Sequence, residues 1–291
     1  MSYRSCRWIA LLGILIVGHA GAEAPLLLER VQSGALPEEA QRLPTVPLVT
    51  DLEAIGRSTG VQGGEIDILM ASSKDTRMMT VYGYARLVGF NPDLELKADI
   101  ALGVDVEEDR RFTFHLRPEH RWSDGAPFTA EDFRYFWEDI ANNEDLSPFG
   151  LPEDLLVDGQ PPRVEIIDRH TVRYEWSSPN PLFLPAIAGP RPLYIYAPAH
   201  YLKQFHAKYV DPAKLEAMVD DAGVRNWAGL HTRYGHQYKF DNPDLPTLQP
   251  WICVTPAPSE RFIFERNPYF HRVDSRGQQL PYLDRIVVNI A

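Results

Sequence analysis

Cysteine is nearly absent from this chain of 291 residues, which holds only Cys6 and Cys253. Cys6 lies ahead of an N-terminal apolar run and would leave with it, so no internal disulfide can form around Cys253. Alone, Cys253 reads as a small buried hydrophobe and not as a catalytic thiol. Positive charge is also scarce: Lys and Arg number 29 against 40 Asp and Glu, a formal net charge of −11. That balance argues against nucleic acid and against an anionic membrane surface as partners. Past the N-terminus, no apolar run reaches the roughly 20 residues that a bilayer crossing needs. The sequence has no internal repeats, heptads or low-complexity tracts.

Catalytic patterns are missing too. Gly63-Gly64 precedes a strand pattern, whereas the glycines of a phosphate loop follow a strand and open a helix. No Gly-x-Ser-x-Gly elbow occurs. His231 and His236 are five apart, and His200 and His206 six apart, so neither pair shares a helical face as metal ligands at i, i+4 would. Neither a metal nor a cofactor is expected. Carboxylates abound, but a glycosidase pair is defined by its separation in space, which sequence does not supply. Asp124, in Ser123-Asp124-Gly125, is explained by turn chemistry without any catalytic role.

What is present starts with an export signal. Arg4 and Arg7 precede an uncharged run from Trp8 to Gly18, and Ala20-Gly21-Ala22 offers a small-x-small site with cleavage after Ala22. The alternative is an uncleaved anchor. With Arg4 and Arg7 removed, the net charge of −11 becomes −13.

Residues 23–34 can form a short helix, and 35–64, rich in Pro and Gly, read as an extended lead-in. Residues 65–70 alternate as a strand, and 77–88 look helical. Asn91-Pro92-Asp93 is a turn. In 111–117, Phe112, Phe114 and Leu116 fall on one face of a half-buried strand, with Arg111, Thr113, His115 and Arg117 on the other. Thr129 is an N-cap, and Asp132 three residues on completes a capping box. Phe133, Phe136, Trp137 and Ile140 then make one helical stripe. Residues 164–176 read as a hairpin. Asp211-Pro212 opens a helix that Gly223 closes. Residues 261–266 and 284–290 are further strands. Trp137 and Trp176 fit apolar stripes, whereas Tyr82 and Trp251 are less committed to a core and are candidate stacking platforms.

The run Phe112-Thr113-Phe114-His115-Leu116-Arg117, with Trp122-Ser123-Asp124-Gly125-Ala126-Pro127-Phe128-Thr129-Ala130-Glu131-Asp132-Phe133, resembles the signature of the family 5 extracytoplasmic solute-binding proteins. Leu87 to Leu94, Asp244 to Trp251, Arg266-Asn267-Pro268-Tyr269-Phe270 and Gln279 to Ile286 are similar to further landmarks of that family. The resemblance covers essentially all of the chain after residue 22, and about half of the family's length. It implies an α/β, type II periplasmic binding protein-like fold with mixed sheets flanked by helices, here a first lobe with the second largely missing. Residues 1–22 would be the signal, 23–64 the lead-in, 65–283 the first lobe, and 284–291 the start of a strand crossing to the second. By the same resemblance the protein is periplasmic and not an enzyme. It would bind oligopeptides, or in a second reading oligosaccharides, for an ABC permease in the inner membrane. A secreted hydrolase is the reading from another class.

Ser73, Lys74 and Asp75 follow the first strand where the resemblance puts the cleft. With Tyr82 and Trp251 they are the candidate ligand contacts. A ligand enclosed by two lobes would lose about 200 Å² of apolar burial without one of them, about 5 kcal/mol at 25 cal/mol/Å². One lobe alone is therefore expected to bind in the millimolar range or worse.

Overall fold

Period-two alternation at Phe112, Phe114 and Leu116 decides where the main core forms. In the computed structural model, which describes residues 23–291, twelve strands form four sheets among the described residues. They are β1 (Leu48–Thr50), β2 (Glu65–Met70), β3 (Val88–Phe90), β4 (Leu96–Ala98), β5 (Ala101–Glu107), β6 (Arg111–Leu116), β7 (Arg163–Asp168), β8 (Thr171–Glu175), β9 (Trp251–Cys253), β10 (Arg261–Arg266), β11 (Arg272–Asp274) and β12 (Arg285–Ile290). The expected export signal, Met1 to Ala22, lies outside the described residues.

The antiparallel sheet β5-β6-β8-β7 sets Phe112 opposite Tyr174 and Phe114 opposite Val172. Its inner face meets Phe183, on the short helix Phe183–Ala188, through edge-on aromatic contacts: Phe112 at 5.1 Å and Trp176 at 4.7 Å between ring centroids. Such geometry adds about 0.5–1.5 kcal/mol per pair beyond area burial. The expected polar face of β6 is only partly exposed, since Thr113 and Arg117 are buried as well. The lead-in explains Arg117. Val46 reaches it, so its guanidinium donates to the carbonyls of Val46, Asp99 and Ala101.

The capping box forms as expected. The Thr129 hydroxyl accepts from the Glu131 N–H at 3.3 Å, and the Asp132 carboxylate accepts from the Thr129 N–H at 2.9 Å. The apolar stripe behind it does not stay on one face. After Ala130–Arg134 the helix widens into a π-helical stretch, Tyr135–Ala141. The wider turn shifts the phase, so Tyr135 and Asp139 are buried while Phe136, Trp137 and Ile140 are half-buried. The helix expected over 77–88 also stops early. A tight turn Ser73–Met78 leads into Met79–Gly83, and Tyr84 ends it in the left-handed region at φ 42°. From there the chain enters the hairpin β3–β4, turned at Asn91-Pro92-Asp93.

The second large sheet has the order β2-β12-β10-β9, with β2 and β12 parallel and the other pairs antiparallel. Met70, Met79, Phe240, Phe262, Phe264 and Val288 make its core. Thus β12 is an inner strand, held by β2 on one side and β10 on the other. The lead-in contains helices Pro25–Gln32 and Glu39–Arg42, and its Arg42, fully buried, pairs with Glu23 at 2.6 Å. Pro212–Ala222 is capped by Asp211 and closed by Gly223 at φ 60°, as the sequence indicates. Cys253 is buried, its thiol donates to the Thr255 carbonyl, and burial pushes that thiol up to about 11.

Gly125 gives the first prediction. It sits at φ 89°, and an added Cβ would lie 2.8 Å from the Tyr269 hydroxyl. Gly125→Ala combines left-handed strain with overpacking and should cost about 2–4 kcal/mol, read as a lower urea midpoint at unchanged slope. A loss under 1 kcal/mol would show that the turn yields.

Candidate functional site

A cavity of about 340 Å³ opens between the segment 191–197, the end of the helix Trp227–Gly235 with its following loop, and the π-helical stretch. Phe136, Tyr194, Tyr196 and Tyr238 supply aromatic walls, and Arg191, Thr232 and His236 supply polar ones. Among the described residues no Asp or Glu lines it. Burial raises the Tyr194 phenol to about 12, so it stays a hydroxyl at neutral pH. His231 at the back is buried, donates or accepts at the Tyr135 hydroxyl at 2.7 Å, and is lowered by burial to about 4. It is therefore neutral and structural.

The walls are held by side chains that bond to backbone carbonyls. Arg86 is 1% exposed, and among the described residues its guanidinium has no carboxylate partner. Its guanidinium donates to Thr80 O (3.0 Å), Ala85 O (3.0 Å), Gly189 O (3.0 Å) and Pro190 O (3.2 Å). The Tyr84 ring lies under it at 4.8 Å, and the Tyr84 hydroxyl donates to Ala188 O at 2.9 Å. Together they fix the segment 188–190 just before Arg191. On the facing wall, the Gln237 amide donates to Tyr196 O at 2.9 Å. The guanidinium of Arg191 then lies over the Tyr238 ring, 5.6 Å from its centroid.

This wall is continuous with part of the expected site. The Thr76 hydroxyl donates to Lys239 O at 3.2 Å, which ties the turn after β2 to the loop carrying Tyr238. Ser73 and Lys74 are exposed on that turn, Asp75 is half-buried near Arg77 at 3.5 Å, and Ser72 caps it by accepting from the Lys74 N–H. Tyr82 is 58% exposed, one residue before Gly83. A Cβ on Gly83 would fall 2.8 Å from Pro250, so Tyr82 lies toward the Trp251 end of the sheet. Trp251 itself is half-buried in β9, opposite Arg266, and its indole N–H donates to Leu283 O at 3.2 Å. Glu65 and Arg285 mark that end, whereas Ser73 follows the other end of β2. At about 3.3 Å per residue the two ends are roughly 17 Å apart. The structure therefore does not bring Trp251 together with Ser73, Lys74 and Asp75.

Asp124 behaves as a turn residue, accepting from the Ala126 N–H at 3.0 Å and pairing with exposed His200 at 2.7 Å. Arg86, Arg191 and Tyr238 escape notice in the sequence, because the contacts that set them apart cross more than 40 positions. The available signal is Gly189-Pro190-Arg191-Pro192, an arginine locked between two prolines at the end of an apolar stretch.

The family described as bacterial extracellular solute-binding proteins, family 5 Middle, matches residues 95–291. The chain belongs to this family. A periplasmic alpha-galactoside-binding protein of Rhizobium meliloti is 29% identical, over 88% of this chain and 37% of the relative. The periplasmic oligopeptide-binding protein OppA of Escherichia coli is 27% identical, over 63% of this chain and 30% of its own length. Among solved structures, an oligopeptide-binding protein OppA superposes with a TM-score of 0.81 at 34% identity, covering 92% of this chain and 41% of that one. MelB from Agrobacterium fabrum, solved with stachyose, has a TM-score of 0.70 at 24% identity and covers the same shares, which speaks to the fold alone. The chain thus spans well under half the length of these relatives. The family 5 fold accounts for the mixed sheets.

Proposed function

We propose that this chain supplies one wall of the ligand cleft of a periplasmic solute-binding protein that feeds an ABC permease, with an oligopeptide as the ligand. The observation that carries this reading is the edge of β2. Among the described residues β2 has β12 on one side and no strand on the other, and it runs directly into the exposed turn Ser73-Lys74-Asp75. An extended peptide can pair with such an edge through main-chain hydrogen bonds. The tyrosine-lined cavity, joined to the turn after β2 through the Thr76 contact with Lys239, would take a side chain or a chain end. In this reading residues 65–283 are the ligand-holding lobe, residues 1–22 an export signal, and Ser73, Lys74 and Asp75 face the ligand, with Tyr82 nearer the Trp251 end. The chain works by enclosing its ligand and performs no catalysis.

The stacked Arg191 and Tyr238 favour the second reading, an oligosaccharide, since sugars lie on aromatic faces. Titrating the 291-residue chain with a tetrapeptide and with an alpha-galactoside trisaccharide separates the two. We expect a millimolar Kd for the peptide and a weaker one for the sugar. Tight sugar binding with none for peptide would reverse the order.

A further inference from the structure

The lead-in meets the body at a buried polar cluster. Arg42 has no exposed surface, and among the described residues its guanidinium has one partner, the Glu23 carboxylate at 2.6 Å. Its Nε and Nη1 have none. Glu23 is therefore pinned by a fully buried cation, and Ala24 behind it is 1% exposed. Arg266, also 1% exposed, donates to Asp284 at 3.3 Å and to the Gln279 carbonyl at 3.2 Å. The Gln62 amide donates to that carbonyl at 2.8 Å. The Leu26 N–H donates to the other oxygen of Asp284 at 3.1 Å, so the first turn of the helix Pro25–Gln32 belongs to the same network.

Two deficits stand out here. The side-chain oxygens of Gln62 and Gln279 are buried with no donor among the described residues. Buried acceptors normally have one. Charge is unbalanced as well. Glu23, Glu39 and Asp284 are three carboxylates against two guanidiniums, Arg42 and Arg266, while neighbouring Asp274 has its own partner in Arg276. Glu39 feels the shortage: burial raises it, and repulsion from Glu23 adds to this against the pull of Arg42 and Arg266. What the cluster is short of is one small cation that donates hydrogen bonds and accepts none. An ammonium has that description.

We infer that the missing cation is the α-ammonium of Glu23, made when the export signal is cut off after Ala22. The inference rests on the reading of residues 1–22 as that signal. A signal peptidase adds one water across the Ala22–Glu23 bond. The C–N bond breaks, Ala22 leaves as a carboxylate, and the Glu23 nitrogen becomes an amine that takes up a proton. Before the cut that nitrogen is a neutral amide, so the cluster stays one charge short. After it, the charges balance around Glu39. Processing thus tightens the lead-in against Asp284, the residue that opens β12, and the protein is fastened only once it has been exported.

The test exports the 291-residue chain from a Gram-negative host, reads the new N-terminus by mass spectrometry, and follows acylation of each amine at pH 7. Only an unprotonated amine reacts, and a nearby carboxylate raises an amine's pKa by about one unit or more, so the Glu23 α-amine should react about tenfold more slowly in the folded protein than in urea. Glu39→Gln should restore most of that rate while lysine labelling stays unchanged. An N-terminus other than Glu23, or no cleavage, overturns the signal reading and the inference together. A Glu23 amine that reacts equally fast folded and unfolded overturns the inference and leaves the signal reading standing. Protection that survives Glu39→Gln overturns the ion pair.

Discussion

Arg86→Met should destabilise the protein by about 3–5 kcal/mol, because it strips a charged donor from four backbone carbonyls at once. Four carbonyls would lose their donor, and each unsatisfied buried acceptor costs about 1–3 kcal/mol before water relieves the more accessible ones. The Met side chain fills much of the volume, so the loss reports hydrogen bonds more than a cavity. Arg86→Lys should recover little, because one ammonium cannot reach Thr80, Ala85, Gly189 and Pro190 in the directions that a planar fork allows. The same substitution frees residues 188–190, so the contact between Arg191 and Tyr238 should loosen and any peptide affinity should fall by tenfold or more. Urea unfolding gives the first quantity and ligand titration the second. A loss below 1 kcal/mol would mean that the segment is held by the Tyr84 hydroxyl and local packing instead.

A second large effect is expected on acidification. Asp99, His271, Arg272, Arg117 and His120 meet beneath the junction of β4, β5 and β11. Both His271 and Arg272 donate to the Asp99 carboxylate, which also accepts from the Arg86 N–H at 2.8 Å. Burial pushes the Asp99 carboxyl upward, but Arg272 and His271 outweigh it and hold it well below the usual carboxylate range. Burial lowers His271 to about 4 against the pull of Asp99. The hydrogen bonding agrees: His271 Nε2 bonds Asp99 at 2.8 Å while its Nδ1 has no partner, so a second ring proton would be buried unpaired.

The sign follows from these values. A histidine near 4 when folded and near 6.5 when unfolded binds more protons unfolded. Its contribution is therefore intact above pH 6.5 and is lost as pH falls toward 4. Between pH 7 and pH 5 that amounts to about 2 kcal/mol. His120, also lowered by burial, acts in the same sense, and Asp99 adds to it at still lower pH. Asp132, raised by burial to about 6, acts in the opposite sense. The difference between parent and His271→Gln is thus the quantity to measure. A glutamine amide can keep the bond to Asp99 without titrating. We expect the parent to lose about 2 kcal/mol more than His271→Gln from pH 7 to pH 5; parallel curves would mean that the imidazole takes up its proton in the folded state.

The residues and elements legible in the sequence are those governed by neighbours within a turn or a strand. Alternation at 112–116, the capping box at Thr129 and Asp132, and the Asp211-Pro212 to Gly223 helix all depend on contacts a few positions apart, and all form. The helix expected at 77–88 fails because Tyr84 turns left-handed to place Arg86 under a segment a hundred residues later. The stripe at 133–140 slips because a π-helical stretch buries Tyr135 against His231, a contact across 96 positions.

By itself the sequence determined the family, the class of fold and the local elements, because hydrophobic period and turn chemistry act over short stretches of chain. Only the tertiary structure decided that Arg191 and Tyr238 share a cavity free of carboxylates, that Arg86 holds its rim, and that Trp251 stands at the far end of the sheet. Those arrangements depend on which distant segments the folded sheets bring into contact, and spacing along the chain carries no record of that.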